Sequence, residues 1–341
     1  MIRRIALTAC AAACCAGTAF AQSDQAGTRA FPFLNLDYDA RTISMGGVSV
    51  AVPNDLYGAV SNPAAIGYVS RRQVVLGYRS VIDDVWGSPV AVALPYSNWG
   101  TFALSLVNIS YGSLTEVDEG ADGTPQTTGI TWHSYSFAGS LSWAKIVWES
   151  LSIGGSLREI HDYIGNSGGT AEHYTADAIV VQGGLQYRWN GSRVIVGLAV
   201  NNAGMMISSY SDETEDLKMP VSVSAGVSYS PEYIPNLRVA LDLAQPVDGF
   251  LTYKLGGELD IYKRYVIIRA GYSFSEPDLE SQLKVLQGES SDGYQKSNWA
   301  GFCFGAGFNT DIGVVSAGLD VAVQLIQDMN PALAVSVIAG F

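Results

Sequence analysis

From Gln73 to Phe341 the chain alternates apolar residues with small or polar ones at a period of two, which is the pattern of strands with two unlike faces. In 220–230, Val221, Val223, Ala225, Val227 and Tyr229 alternate with Ser222, Ser224, Gly226 and Ser228. In 298–309, Ala300, Phe302, Phe304, Ala306 and Phe308 oppose Gly301, Cys303, Gly305 and Gly307. Fourteen such segments can be drawn, at 73–80, 87–95, 99–111, 130–145, 150–164, 173–189, 192–203, 219–230, 236–245, 251–262, 264–275, 298–309, 312–325 and 332–341. Most reach the roughly 9–11 residues that a tilted strand needs to cross a bilayer. An even strand count is the rule for bacterial single-chain barrels. The pattern predicts an all-β fold, a transmembrane antiparallel β-barrel of about fourteen strands.

Composition agrees. Mean hydropathy is +0.17, only 15% of residues are charged, and glycine is abundant at 37. Strands that face lipid on one side and a lumen on the other average out in this way. Beyond the leader, no run reaches the 18 or so uninterrupted apolar residues of a membrane helix. The leader itself, 1–21, reads as a secretory signal: Arg3 and Arg4, then a small apolar stretch from Ile5 to Thr18, then Ala19-Phe20-Ala21 as the cleavage site. The expected mature chain starts at Gln22 and resides in the outer membrane of a Gram-negative cell. A lipoprotein reading at Cys10 would leave too short an apolar stretch. Cys10, Cys14 and Cys15 leave with the leader, so Cys303 has no intrachain partner for a disulfide. The net charge of −13 becomes −15 once Arg3 and Arg4 are removed (−13 − 2), which argues against nucleic acid as a partner.

The connections alternate short and long. Short ones fall at Ser97-Asn98, Val147-Trp148, Asn190-Gly191, Glu232–Pro235, Lys263 and Thr310-Asp311; long ones at 112–129, 204–218 and 276–297. Asn190-Gly191 is a type I′ hairpin signal. With the first strand rising outward, every short turn is periplasmic, as in known barrels. Trp99, Trp143, Trp148, Trp189, Tyr229, Tyr233, Tyr262, Tyr265, Phe308 and Phe341 lie at or beside those turns and predict an aromatic girdle. A secreted β-sandwich is the competing fold, but it has no need of the short/long rhythm. In the last strand Leu333, Val335, Val337, Ala339 and Phe341 share one face, Ala334, Ser336 and Gly340 the other, with Ile338 as the exception. Its terminal Phe341 is the expected signal for the barrel-assembly machinery.

Gly154, Gly184, Gly197, Gly226, Gly256, Gly271, Gly305 and Gly318 recur on the inner face. Glycine in a strand marks either close approach of other backbone or wall curvature. The first option predicts that the segment before the barrel (22–72, and within it 31–66) folds into the lumen as a plug. Inner-face charges on neighbouring strands, Arg238, Asp242, Lys254, Glu258, Asp260 and Arg269, read as a network bracing the wall, or alternatively as substrate contacts. The long connections are acidic, with Glu116, Asp118, Glu119 and Asp122, then Asp212, Glu213, Glu215 and Asp216, then Glu276, Asp278, Glu280, Glu289 and Asp292. They read as solvated charge, or as sites bridging divalent cations to anionic lipid, although they lack EF-hand spacing.

No catalytic motif emerges. His133, His161 and His173 form no metal-ligand pair, and neither H-E-x-x-H, C-x-x-C nor G-x-S-x-G occurs in the mature chain. His161 and His173 are expected to approach across one hairpin; separately, any of the many serines paired with a histidine on the wall could act as nucleophile and base. No catalytic site, cofactor or metal is assigned.

The sharpest motifs precede the barrel: Phe33-Leu34, then Ala40-Arg41, then Met45-Gly46-Gly47, then Asn62-Pro63-Ala64. Gly46-Gly47 permits a tight turn or close packing. Asn62-Pro63 ends or turns a short helix. A buried Arg41 would need a carboxylate or carbonyl partner. This series ahead of a fourteen-strand barrel resembles the PorV/PorQ family of type IX secretion outer-membrane proteins, which have a FadL-like barrel. Asn201-Asn202-Ala203-Gly204 and Met219-Pro220 resemble landmarks of PorQ-like members. The resemblance implies a non-enzymatic role in type IX secretion or surface attachment. The implied partners are outer-membrane lipid, secretion components and exported proteins with C-terminal sorting domains, docked on the outer loops. The alternatives are a FadL-like channel for hydrophobic small molecules, which would need an apolar lumen pocket and a lateral wall opening, and a general porin.

Overall fold

The structure is a computed structural model. It describes residues 30–341 except 54–55, 120–123, 149, 167–172, 190–192, 211–216, 235, 248, 263–264, 276–298 and 328. The leader, the Asn190-Gly191 and Lys263 turns, Asp122 and the acidic residues of 212–216 and 276–292 lie outside the described residues. Fourteen antiparallel strands form one closed barrel. They are β1 (Gln73–Ile82), β2 (Val85–Tyr96), β3 (Gly100–Glu119), β4 (Pro125–Trp148), β5 (Leu151–Asn166), β6 (His173–Trp189), β7 (Val194–Ser208), β8 (Ser222–Tyr229), β9 (Leu237–Pro246), β10 (Thr252–Tyr262), β11 (Val266–Ser275), β12 (Phe302–Ile312), β13 (Val315–Gln324) and β14 (Ala332–Gly340). Each pairs with its sequence neighbour, and β14 closes on β1 from Gln73↔Gly340 to Arg79↔Ala334. Closure leaves no sheet edge, the condition for crossing lipid with strands.

The period-two pattern sets the two faces. Leu76, Leu104, Leu141, Leu157, Val181, Phe304 and Leu319 are exposed outward, while Ser140, Arg158, Gln186, Asp242 and Arg269 are buried inside. An apolar exterior over a polar interior is the inverse of a soluble domain and the surface of a lipid-facing barrel. Among the described residues no helix is long and apolar enough to cross a membrane; this barrel crosses with strands. Trp99, Trp148, Tyr229, Tyr233, Tyr262, Tyr265, Phe308 and Phe341 are exposed at the short-turn rim, as a girdle requires.

Two local features differ from the sequence reading. The 112–129 connection is largely strand: β3 and β4 run on to Glu119 and from Pro125 as an overhanging hairpin. Its Thr-rich sequence pairs across strands, and Thr128 donates to Glu116 at 2.8 Å, so Glu116, Asp118 and Glu119 sit on strand rather than loop. The β12–β13 turn is at Gly313-Val314 rather than Thr310-Asp311. Gly313 takes φ 66° there, a left-handed conformation for which glycine is best suited. Ile338 lies on the inner face as its position in the alternation required, and it packs against the cluster of Leu56, Ile66 and Val69. Its apolar side chain meets a filled lumen instead of water.

Candidate functional site

The lumen is occupied by the segment before β1. Its secondary structure is short: a 3-10 helix at Pro32–Asn35, an α-helix α1 at Ala40–Ser44, and 3-10 helices at Tyr57–Val60 and Pro63–Tyr68. Side chains set these boundaries. Asp39 caps α1 by accepting from Thr42 N at 3.0 Å. Asn62 caps the last 3-10 helix by accepting from Ala64 N at 3.1 Å, with Pro63 opening it. Asn62 thus begins the last 3-10 helix, one residue after Ser61 closes the one before, and its amide also donates to Val50 O at 2.7 Å and to Leu185 O on β6 at 3.2 Å. Helix α1 packs against β11–β14, and the Pro63–Tyr68 helix against β3–β6. The segment therefore braces opposite arcs of the wall.

The inner glycines are the track on which it lies. A β-carbon on Gly154 would sit 2.6 Å from Pro63 C and Ala64 N, and one on Gly305 would sit 2.5 Å from Ser44 Cβ. At Gly184 it would meet Asn62, at Gly197 and Gly226 Val50, at Gly256 Met45, and at Gly271 Met45 and Gly46. Gly318 is the exception, facing Asn309 and Ile338. Gly46 and Gly47 take φ 71° and 84°, which turns the chain where it is pressed against β10 and β11. Met45, Asn62 and Ala64 are fully buried in this contact, and Phe33 is nearly so.

The charges grip the segment as well as the wall. Glu258 on β10 lies in register between Arg238 on β9 and Arg269 on β11. It binds Arg238 at 2.8 Å, Arg269 at 3.3 Å and Arg41 of α1 at 3.0 Å. Arg269 passes the network to Asp320 on β13 at 2.5 Å. Lys254 and Asp242 stand opposite each other in register, but each turns to the segment instead. Lys254 binds Asp37 and Gly47 O, both at 3.2 Å, and Asp242 accepts from Ser49 N at 2.7 Å and Val50 N at 2.8 Å. The cross-strand bracing expected for that pair is thus replaced by plug contacts, because buried backbone N–H groups at 49–50 need an acceptor. Asp260 lines the same lower cavity as Arg41, Glu258 and Arg269.

Several participants escaped the sequence reading. Arg79 donates to Asp37 O and to Gln324 at 2.8 Å. Arg158 donates to Ser140 at 2.8 Å, Gln182 at 3.2 Å, Asn202 at 3.3 Å and Val60 O at 3.4 Å. Gln186 donates to Val50 O at 2.9 Å and Val52 O at 3.2 Å. The only signal available was a polar or charged residue in register with the inward glycines.

Two sizeable cavities and a packed apolar cluster flank the segment. Toward the short turns lies a cavity of about 440 Å³ lined by Arg41, Gln73, Arg238, Glu258, Asp260, Arg269 and Asp320. Toward the long loops lies one of about 340 Å³ lined by Leu34, Leu36, Asp37, Arg79, Asn201, Asn202, Asp242 and Lys254, among others. Beside it is an apolar compartment in which Phe31, Phe33 and Met219 are buried among Ile109, Ile160, Ala178 and Val180, with Leu34 and Leu36 at its edge. The wall there is irregular. Asn201 and Asn202 together oppose Gln182 alone, since Val181 pairs with Ala203 and Gly183 with Val200, and Asn202 has φ 57°. This is a β-bulge. β7–β8 pairing stops there, at Asn201↔Ser222, although β7 continues to Ser208. Met219, in the segment leading into β8, is buried in that apolar cluster, and Asn202 holds the segment by donating to Pro220 O at 3.3 Å.

On the outer face His161 meets Asp177 at 2.6 Å, and Ser208 donates to the same carboxylate at 2.7 Å. His161 pairs in register with Asp177 and His173 with Asn166, so the expected approach of the two histidines is replaced by a His–Asp contact. Asp177, not His161, holds the serine; a nucleophile–base pair requires the reverse order. Among the described residues no three His, Cys, Asp or Glu are grouped to hold a metal ion.

No family model matches the chain, and no curated protein matches its sequence. Solved structures do match. The toluene transporter TodX of P. putida superposes with TM-score 0.59 at 14% identity, covering 89% of this chain and 97% of that one. A deltaS2 mutant of the TodX monoaromatic hydrocarbon channel gives 0.58 at 14% identity, with 90% and 98% covered. A Pseudomonas aeruginosa FadL homologue gives 0.49 at 11% identity, with 89% and 98% covered. The likeness is one of fold, and the fold is that of a fourteen-strand outer-membrane barrel.

Proposed function

We propose that this barrel is a channel for small hydrophobic molecules. The observation that carries the reading is an apolar cluster on the long-loop side of the lumen, in which Phe31 and Phe33 are buried next to a polar cavity and to the bulged wall at Asn201-Asn202. A backbone stretch without a strand partner is costly in hydrocarbon unless protein covers it or it lines an opening. The end of β7 meets that condition beside Met219 and Pro220. Burying two phenylalanines is worth roughly 1.5–3 kcal/mol each, so moving them into water would hold the compartment shut. An apolar guest that replaces them leaves the transfer energy near balance. Phe31 also carries φ 56° and ψ 54° without a side-chain cap, a conformation that costs a bulky residue about 1–3 kcal/mol and eases when the segment moves. The likeness to TodX supports the same reading at the level of fold.

The PorV/PorQ resemblance supports a different role, docking of exported proteins. Its motif residues are accounted for by internal packing: Arg41 by Glu258, Met45 and Gly46 by Gly256 and Gly271, Asn62 by Val50 and Leu185.

The test is uptake of radiolabelled toluene by cells lacking their own hydrophobic channels. Expression of the chain should raise the rate several-fold, and Phe31→Ser with Phe33→Ser should change it further. Uptake equal to the empty vector, with export of sorting-domain proteins lost on gene deletion, would replace this reading by the secretion one.

A further inference from the structure

On the long-loop side of the apolar cluster lies a tier of polar side chains that the channel reading leaves unused. Ile109 on β3, Ala138 on β4 and Ile160 on β5 belong to the cluster. Two residues further from the short turns on the same strands stand Tyr111, Ser136 and Asp162. Ser136 and Asp162 are opposite each other in register, and the serine donates to the carboxylate at 2.6 Å. The Ser136 and Tyr111 hydroxyls are 3.1 Å apart; with the serine hydrogen spent on Asp162, the tyrosine is the donor. Tyr210 completes the tier. It donates to the other oxygen of Asp162, and it packs on the cluster, as Tyr111, Met206 and Leu217 also do.

The four side chains are not equally free to move. Tyr111, Ser136 and Asp162 stand on strands of the wall. Tyr210 lies two residues past the end of β7 at Ser208, and beyond Asn201 that strand is paired with β6 but no longer with β8. Turning Tyr210 away from the cluster breaks one side-chain hydrogen bond and leaves the strand ladder whole. The closing force comes from Asp162, which is buried. A carboxylate at the edge of an apolar cluster is costly unless hydrogen-bonded, and without Tyr210 one of its oxygens loses its donor. A tyrosine suits the place because its ring covers apolar surface while its hydroxyl fastens to a polar group. We infer that Tyr210 is the outer latch of the apolar cluster: its bond to Asp162 closes the cluster to hydrophobic guests arriving from the long-loop side, and its release admits them. The inference rests on the channel reading and names the residue that regulates entry.

The experiment is uptake of radiolabelled toluene by cells lacking their own hydrophobic channels, with sucrose entry into the periplasm measured alongside. The full chain is compared as wild type, Tyr210→Phe and Ser134→Ala, at equal amounts of folded barrel. Tyr210→Phe keeps the ring and removes only the hydroxyl. It should raise toluene uptake several-fold to about tenfold, the worth of one net hydrogen bond, and leave sucrose entry unchanged. Ser134→Ala removes a neighbouring bond of the same wall, to Tyr163 O at 2.9 Å, without touching Tyr210, and should stay at the wild-type rate. Should Tyr210→Phe not fold, Asp162→Asn carries the same test, because an amide offers one acceptor oxygen to two donors. Uptake by Tyr210→Phe where the wild type only matches the empty vector would support the latch. A wild-type rate for Tyr210→Phe, an equal rise in Ser134→Ala, or a parallel rise in sucrose entry would overturn the latch and leave the channel standing. No uptake above the empty vector from either wild type or Tyr210→Phe would overturn the channel reading as well.

Discussion

At the scale of single residues the wall is designed around what is missing from it. A β-carbon on Gly271 would collide with the backbone of Met45 and Gly46, whereas one on Gly183, on the outer face, would meet nothing within 4 Å. Backbone cannot swing aside as a side chain can, so the inward position tolerates no added methyl. Gly271→Ala should therefore destabilise the barrel by about 1–3 kcal/mol, the usual cost of overpacking. Gly183→Ala should be neutral or stabilising, since it only restricts the unfolded chain. Urea unfolding in lipid vesicles separates the two; equal midpoints would mean that the lumen segment yields freely. Asn62 shows the same economy, with one side chain serving a helix start, the plug backbone and β6.

At the scale of elements the contest is between α1 and the wall for one carboxylate. Glu258 serves Arg238 and Arg269 within the sheet and Arg41 from α1. Removing Arg41 leaves Glu258 paired and the sheet intact. Removing the carboxylate leaves three guanidiniums around a poorly solvated site, and breaking a buried pair costs about 3–5 kcal/mol. Arg41→Ala is thus expected to loosen α1 with little effect on barrel unfolding, seen as faster hydrogen exchange over 40–47. Glu258→Gln should lower barrel stability as well. Identical effects of the two variants would show that Arg41 does not act as the link between α1 and β10. Because the pairs are largely shielded, moderate salt should not mimic either variant.

At the scale of the whole molecule, a closed wall and an inserted segment pack together, with the segment lying across the lumen between two cavities. Deleting 31–66 removes α1, the first two 3-10 helices, most of the third and the groups that satisfy Asp242, Gln186 and Lys254. The deletion should raise single-channel conductance of the reconstituted protein several-fold, because a fourteen-strand lumen without its filling is wide enough for water. Unchanged conductance would mean that the wall or the loops, rather than the segment, form the constriction.

Period-two alternation by itself determined the fourteen strands, their faces, their order and the apolar exterior, because in a closed meander each strand pairs with its sequence neighbours and needs no long-range information. The glycine series and the charged inner residues were legible as a pattern, and Arg41 was legible as a cation in need of an anion. What only the tertiary structure decided is which groups meet. Glu258, not its neighbours, receives Arg41; Asp242 and Lys254 part from each other to hold the lumen segment; and the bulge at Asn201-Asn202 stands beside a pocket filled by Phe31. These contacts join residues up to more than two hundred positions apart and have no periodicity. A strand register fixes neighbours along the wall, but nothing in local sequence fixes how an irregular segment lies across the lumen until packing and charge select one path.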